Sequence, residues 1–332
     1  MSWAEVKYLL DNASGTSGLV PNKLSSLSAA AGTLSWKATN TIIENQTVCE
    51  VGKIVFRYSA DSAPATPNDG ALLFETTDLS GTHDYTLDDG VYISGFVYSS
   101  QGVLNDTPVT AQTVSFESFA KDTWEMIKKC SESGMAEQFY AVGDEKTISI
   151  DGTDYIVTIM DFNHDDLADG SGKAGITIGL KNLLTTKHVM NSSGSNSGGW
   201  ESCEMRSWLQ SDVLGWLPAD LQAAIKKVSK KATAGSKSTT IKTSEDNLFL
   251  LAEVEIFGSK TYGSLDEGTQ YSYFTTTSRR VKTLGDSGSA TTWWERSPNV
   301  SDANYFCRVN SDGSAYYNSA SNSYGVSFGF CI

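Results

Sequence analysis

The chain has 332 residues, 25 of them basic and 39 acidic, for a formal charge of −14. At roughly 100–200 residues per domain, that length provides for two or three domains, each with its own core. The acidity argues against nucleic-acid and anionic-membrane partners, which need a basic footprint, and it is spread evenly: residues 1–115 carry 5 basic and 12 acidic side chains, residues 116–332 carry 20 and 27.

The first ten residues, Met1-Ser2-Trp3-Ala4-Glu5-Val6-Lys7-Tyr8-Leu9-Leu10, lack a basic segment followed by an apolar one. No secretory signal is expected there, and synthesis in a cytosol follows. The densest apolar run, Leu248-Phe249-Leu250-Leu251-Ala252, meets Glu253, far short of the ~18 apolar residues of a spanning helix. Membrane insertion is not expected. Val6, Leu9 and Leu10 give residues 1–31 a short amphipathic start, and a Ser/Ala/Gly-rich stretch over residues 12–32 reads as an attachment segment and linker.

Residues 32–116 read as all-β. Leu34-Ser35-Trp36-Lys37-Ala38 and Lys53-Ile54-Val55-Phe56-Arg57-Tyr58 alternate, and further strands are predicted at residues 71–74, 85–87, 91–98 and 109–116. Turn residues separate them, notably residues 64–70, Asp88-Asp89-Gly90 and Gln101-Gly102. Several short strands at this spacing indicate a β-sandwich. With Trp36 on an early strand and Leu87-Asp88-Asp89-Gly90-Val91-Tyr92 similar to a tyrosine-corner segment, this part resembles a fibronectin type III module. Such modules are usually spacers.

Residues 117–332 read as a separate α+β region. Asp122 with Glu125 predicts a helix start and Gly134 its stop. Asp151-Gly152 between Lys146–Ile150 and Tyr155–Ile159 predicts a hairpin, and residues 174–178 a further strand. A short helix carries Met205, Trp208 and Leu209. Another starts at Pro218 with Leu221, Ala224, Ile225 and Val228 on one face, which places Lys226, Lys227, Lys230 and Lys231 at a solvated helix end. Residues 232–244 read as a polar loop. Strands are expected over residues 247–256, 271–274 and 292–294.

Few motifs carry catalytic chemistry. Asp161, Asn163 and Asp165 mimic the start of a calcium loop, but Asp166 stands where the turn glycine belongs and Gly172 where the bidentate glutamate belongs. A hydrogen-bonded structural loop is the better reading. His83, His164 and His188 are far apart in sequence and assemble no zinc triad or Ser-His-Asp set. Glu253 and Glu255 fall on one face of a predicted strand, and a solvated face is a better reading than a glycosidase pair. The cysteines at 49, 130, 203, 307 and 331 form no CxxC, so neither a zinc site nor a disulfide framework is indicated. Reduced, mostly buried thiols are expected, with a Cys307–Cys331 bond left open. No metal and no cofactor are expected.

The strongest signal is C-terminal. Of the 26 residues from 299 to 324, five are Asn, six Ser and four Tyr. Tyr supplies stiff, amphipathic contact area, and Ser and Asn supply adaptable hydrogen bonds, the composition of antibody paratopes. Phe306, Cys307 and Val309 at strand-like spacing, a turn at Asp312-Gly313, and Val326, Phe328, Phe330 and Ile332 alternating as a final buried strand argue for order rather than a floppy tail. Tyr305, Tyr316, Tyr317 and Tyr324 are expected to be exposed together on one face.

Trp293-Trp294-Glu295-Arg296-Ser297-Pro298, Phe306-Cys307-Arg308-Val309-Asn310-Ser311-Asp312-Gly313, Gly325-Val326 and Phe330-Cys331-Ile332, with Gly198-Gly199-Trp200, Met205-Arg206 and Leu248-Phe249-Leu250-Leu251 upstream, resemble the C-type-lectin-fold variable proteins of diversity-generating retroelements. The resemblance covers roughly residues 120–332. It implies a compact, typically calcium-independent C-type lectin fold, related to the formylglycine-generating enzyme, with adenine-directed mutagenesis of selected codons. The positions it marks as variable are Ser301, Asp302, Asn304, Tyr305, Arg308, Asn310, Ser311, Ser314, Tyr316, Tyr317, Asn318, Ser321, Asn322 and Tyr324. Trp293, Trp294, Arg296, Phe306, Val309, Gly313, Gly325 and Phe330 would be the fixed scaffold. The oxidising enzyme needs a closely spaced reactive cysteine pair, which Cys307 and Cys331 are not.

The expected function is therefore non-enzymatic: a phage tail-fibre adhesin, virion-located, whose lectin-type head binds a host cell-surface protein or glycan. Other tail proteins would be its assembly partners, and analogy suggests a homotrimer. The alternatives are a formylglycine-generating-type or glycan-hydrolysing enzyme, a calcium-dependent lectin, and a structural decoration protein.

Overall fold

The computed structural model of the protein describes residues 19–332 apart from Glu44 and Ser287. The amphipathic stretch around Val6, Leu9 and Leu10 lies outside the described residues. The chain divides between Phe116 and Glu117 into two units, both dominated by antiparallel sheet.

In the first unit the strands are β1 (Ser26–Ala30), β2 (Thr33–Lys37), β3 (Thr41–Ile43), β4 (Gln46–Cys49), β5 (Val51–Ser59), β6 (Ala71–Thr76), β7 (Ser80–Asp84), β8 (Tyr92–Ser99) and β9 (Val109–Gln112). They form a β1-β2-β7 sheet, a β6-β5-β8-β9 sheet and a small β3-β4 ribbon. Alternation places Leu34 and Trp36 of one sheet and Ile54, Phe56, Ile93 and Val97 of the other in a single apolar core. Trp36 packs 5.3 Å from both Phe56 and Phe74. Its register partner is Gly81, where a Cβ would come within 2.9 Å of the indole, so the glycine makes room for the ring.

Two expectations change in this unit. The linker ends earlier than residue 31, because Leu24 is buried in the core and β1 pairs with β2 from Ser26 onward. Residues 85–87 are not a strand; β7 precedes them, and Tyr85 is tied back by its N–H to the Gly32 carbonyl (2.6 Å).

The second unit carries a five-stranded sheet of β10 (Glu145–Ile150), β11 (Thr153–Phe162), β12 (Ile176–Leu180), β15 (Phe249–Leu250) and β19 (Phe328–Cys331), in the order β10-β11-β12-β19-β15. The β10–β11 hairpin turns at Asp151-Gly152, both at positive φ (49° and 74°), the conformation that Asp-Gly favours. A β13 (Val228–Thr233)–β14 (Ile241–Asp246) hairpin and a three-stranded β16 (Trp293–Pro298)–β17 (Tyr305–Val309)–β18 (Ala315–Ser319) sheet complete the strands.

The helices are short. They are α1 (Trp124–Glu132), α2 (Ala136–Phe139), α3 (Glu204–Trp208), α4 (Leu214–Trp216), α5 (Ala219–Ala224) and α6 (Glu253–Phe257), with a π-turn at Leu209–Val213. Helix α1 is capped by Thr123, not Asp122: the Thr123 hydroxyl accepts the Met126 N–H (3.2 Å). It packs on the sheet through Trp124 against Phe330 (6.0 Å), and the Ser131 hydroxyl donates to the Ile332 carbonyl (2.6 Å).

The largest departures from the sequence reading lie between residues 225 and 274. Helix α5 stops at Ala224, because Ile225 is extended and the Lys226 N–H joins the Cys331 carbonyl (2.8 Å). Val228 and Lys230 therefore belong to β13, and Lys230 is buried rather than at a solvated helix end. The supposed polar loop of residues 232–244 is the turn and second strand of this hairpin. Residues 253–257 are helical, with Gly258 at φ 69° closing the turn. Glu253 and Glu255 are consequently buried, not on a solvated strand face. Residues 271–274 form a turn, with the Phe274 N–H bonded to the Tyr271 carbonyl (3.0 Å). All five cysteines are buried and free, so Cys307 and Cys331 are not bonded.

Candidate binding face

Strands β16, β17 and β18 meander, and the ladder sets Arg308 opposite Tyr316, Cys307 opposite Tyr317 and Tyr305 opposite Ser319. The β17–β18 connection closes at Gly313, whose φ of 83° and close approach to the Thr277 carbonyl (3.0 Å from an added Cβ) leave no room for a side chain. The meander buries all of β16 together with Phe306, Cys307 and Val309, while Tyr305 and Arg308 of β17 and the residues of β18 reach solvent.

Ser301, Asn304, Ser311, Ser314, Tyr316, Ser321 and Asn322 are exposed; Asp302, Tyr305, Arg308, Asn310, Tyr317, Asn318 and Tyr324 are half-buried. None of these positions lies in the core. The positions expected to be fixed, Trp293, Trp294, Arg296, Phe306, Val309, Gly313, Gly325 and Phe330, are all buried.

The aromatic rings form one connected group. Tyr316 stacks on Tyr317 (4.8 Å, 8° between planes), and Tyr317 stacks on Tyr305 (5.2 Å). The Arg308 guanidinium lies 5.1 Å from the Tyr316 ring and 5.1 Å from the Tyr324 ring, bridging them by cation–π contact. Tyr324 packs edge-on against buried Trp294 (5.0 Å) and accepts a hydrogen bond from the Asn318 amide (2.6 Å). The side chains are thus held by one another before any partner arrives, which lowers the entropy cost of binding.

Tyr262, missed in the sequence reading, completes the group. It meets Tyr317 at 4.8 Å and Tyr316 at 6.0 Å, edge to face. It stands alone in its segment, so no local composition signal points to it. Asn196 was also missed. Its amide donates to the carbonyls of Asp302 (2.7 Å) and Tyr305 (2.8 Å), its Oδ1 accepts from Ser236 N–H (2.7 Å), and its N–H donates to the Ala303 carbonyl (2.8 Å). One buried side chain thereby fastens the loop that carries Ser301, Asp302 and Asn304.

Below the meander the fold is held by buried charge. The Lys230 ammonium meets Asp165 Oδ1 (2.6 Å), Glu255 Oε1 (2.8 Å) and the Tyr271 hydroxyl (2.9 Å). Arg296 forks onto Glu255 (2.5 and 2.7 Å) and donates to the carbonyls of Lys231, Leu250 and Glu267. Burial alone would raise Asp165 and Glu255, but Lys230 and Arg296 outweigh it and hold both carboxyls below their usual range. Glu267 is different: burial pushes it up to about 7 against the opposing pull of Ser297, the Thr233 N–H and Arg296.

Asp165, Lys230, Glu255, Glu267 and Arg296 line a cavity of about 410 Å³ with His164, Lys173 and Asp266. Its deepest charges already satisfy one another, and it shares no lining residue with the fourteen face positions. The calcium-loop reading also dissolves here. Asp161 accepts from the Ser272 N–H (2.8 Å), Asn163 donates to Glu137 (3.0 Å) and Asp165 is bound to Lys230, so the three point to different partners. Glu253 and Glu255 serve as structural anions rather than an open acid–base pair.

Residues 175–332 match a family described as a domain of unknown function, DUF6273. No curated protein and no solved structure matches the chain. Among the described residues, no helix is long and apolar enough to cross a membrane.

Proposed function

We propose that this protein is a receptor-binding adhesin of the phage tail-fibre type. In this reading the second unit is a C-type-lectin-fold head of the diversity-generating-retroelement class, and the first unit is a fibronectin type III-like spacer. The head binds a host cell-surface protein or glycan by surface complementarity, with tyrosine anchors and a Ser/Asn rim, and performs no covalent chemistry. The other partners are virion tail proteins.

One observation carries the reading. The fourteen positions assigned to the variable set are all accessible, and the eight assigned to the scaffold are all buried. A surface that changes its side chains without changing its fold requires that separation, because core substitutions cost several kcal/mol and surface ones little. The preassembled Tyr262–Tyr316–Tyr317–Tyr305 group adds rigid contact area of the kind that anchors interfaces. A contact of about 800 Å² per partner suffices for stable recognition, and several copies on one fibre multiply a modest single-site affinity.

Two measurements test the proposal. In the coding DNA, a nearby near-identical template repeat with mismatches confined to template adenines, next to a reverse transcriptase gene, is the expected pattern. With the protein, replacing Tyr316 and Tyr317 together by alanine should abolish adsorption to the host while leaving the fold intact. Undiminished adsorption by that folded variant would leave a structural decoration protein as the better reading.

A further inference from the structure

Glu295 lies on β16, in a strand whose every residue is buried. Both of its carboxylate oxygens are shut off from solvent, and neither accepts a hydrogen bond from any described residue. A carboxylate in that position is costly unless it is neutral, paired with a cation or bound to a metal. Among the described residues, the buried cations of the second unit are engaged elsewhere: Lys230 and Arg296 with Asp165 and Glu255, and Lys282 with the carbonyls of Leu180 and Lys181. Arg308 attracts Glu295 only at a distance and makes its hydrogen bonds to Tyr317, Thr292 and Asn310.

The groups that do face Glu295 are two further potential ligands. Donor atoms of Glu253, Glu295 and Cys307 all lie within 4.8 Å of one another, and all three residues are buried. They arrive from different elements: Glu253 opens α6, Glu295 is on β16 and Cys307 is on β17. Glu253 is fixed from behind, its Oε2 accepting the N–H groups of Thr261 (2.9 Å), Tyr262 (2.9 Å) and Gly263 (2.7 Å). Two carboxylates and a thiol converge here without a cation in contact.

We propose that Glu253, Glu295 and Cys307 form a structural site for a divalent cation of the zinc class. The thiol argues against magnesium and calcium, which take oxygen donors, whereas zinc accepts sulfur and oxygen together in a compact shell. Zinc bonds of about 2.0–2.3 Å set donor atoms roughly 3.5 Å apart, so small side-chain adjustments close the cluster around the ion. Binding ionises the Cys307 thiol and releases its proton to solvent, with a second proton from Glu295 where that carboxyl is protonated. The site is closed, so the ion enters as the chain folds.

The position gives the ion a consequence. Cys307 pairs with Tyr317 across the ladder, and Glu253 holds the loop that carries Tyr262. The cation therefore ties α6, β16 and β17 together directly under the tyrosine group. This holds whether or not the face binds a receptor.

The test uses the full chain. Protein purified without chelator should contain about one zinc per chain by elemental analysis. Chain unfolded in chelator and refolded in the presence of Co²⁺ should develop a thiolate-to-cobalt absorption in the near ultraviolet, and chain refolded with Zn²⁺ should melt several degrees above chain refolded in chelator. Cys307→Ser should lose the absorption, and Glu295→Gln should weaken Zn²⁺ binding by more than ten-fold. Glu295→Leu, which places an apolar side chain in the same buried space, should fold and hold no metal. Wild-type protein that carries no stoichiometric metal and gives no cobalt–thiolate band would overturn the site, as would a band that persists in Cys307→Ser. Should refolding fail, the metal content of the purified wild type and of Glu295→Leu decides the question.

Discussion

The two units solve the problem of burial in different ways. The first packs Leu34, Trp36, Ile54, Phe56, Ile93 and Val97 from two regular sheets into an apolar core. The second buries Asp165, Lys230, Glu253, Glu255, Glu267, Lys282, Glu295 and Arg296 among its apolar residues. Apolar contact is not directional and suffices where strands pair along their length. The second unit instead contains long irregular segments whose backbone groups have no ladder to join. Its buried side chains supply the partners: Arg296 takes three carbonyls, Glu253 three N–H groups, and Asn196 the loop leading into β17. Buried charge here stands in for secondary structure.

The sharpest way to break this comparison is to remove one cation. Lys230→Met leaves Asp165 and Glu255 without their shared partner, and should destabilise the second unit by about 3–5 kcal/mol. Hydrogen exchange followed by mass spectrometry should show faster exchange in residues 117–332 and no change in residues 24–112. The reciprocal experiment is Leu34→Ala, which opens a cavity in the first unit's core at a cost of about 2–5 kcal/mol. Its exchange should rise only in residues 24–112. Spread of either effect into the other unit would show that the two cores are not energetically separate.

Acidity offers a third probe of the charged core. Burial moves Glu267 from its ordinary 4.5 to about 7. The folded chain therefore keeps a proton that the unfolded chain gives up between those values. That contribution is complete below about pH 4.5 and is lost as pH rises through about 7, amounting to roughly 3 kcal/mol at most. Asp165 and Glu255, held low, lose their contribution only as pH falls below the ordinary carboxylate range, so they do not act in this window. The urea midpoint should be lower at pH 7 than at pH 5 for the wild type, and Glu267→Gln should reduce the difference without abolishing it, because burial also raises Glu295. An unchanged slope in that variant would assign the titration to another group.

The contrast also explains what the sequence could disclose. Alternation exposed β2, β5 and β8, and Asp151-Gly152 exposed the β10–β11 turn, because those signals are local. The charged core was illegible. Leu221, Ala224, Ile225 and Val228 kept helical spacing past Ala224, yet the chain leaves the helix to pair Lys226 with Cys331, a partner 105 residues away. Glu253 and Glu255 read as a solvated strand face because Arg296 and Lys230, which make their neighbourhood, are remote in sequence; Gly258 was the one nearby hint of a helix end. The face was half legible. Its Asn/Ser/Tyr excess between residues 299 and 324 marked it, whereas Tyr262 and Asn196 join it only through the fold. Glu295 and Cys307, 12 apart on facing strands, match no ligand spacing that a motif would catch.

The smallest expected effect on stability is at the face itself, and it separates face from core most cleanly. Tyr316 is exposed, and its contacts are to Tyr317, Tyr262 and Arg308, which reach solvent with it. Tyr316→Ala should change stability by no more than about 0.5 kcal/mol, as surface substitutions do, while lowering single-site affinity for the host receptor by ten-fold or more. The comparison variant is Phe306→Ala, one residue beyond Tyr305 on the same strand but fully buried, with an expected cost of about 3–5 kcal/mol. Thermal melts and surface plasmon resonance on both variants give four numbers that must fall in opposite corners. A large stability loss at Tyr316 would mean that the tyrosines hold the meander together, and that this half-buried aromatic group is part of the fold's support rather than a surface free to vary.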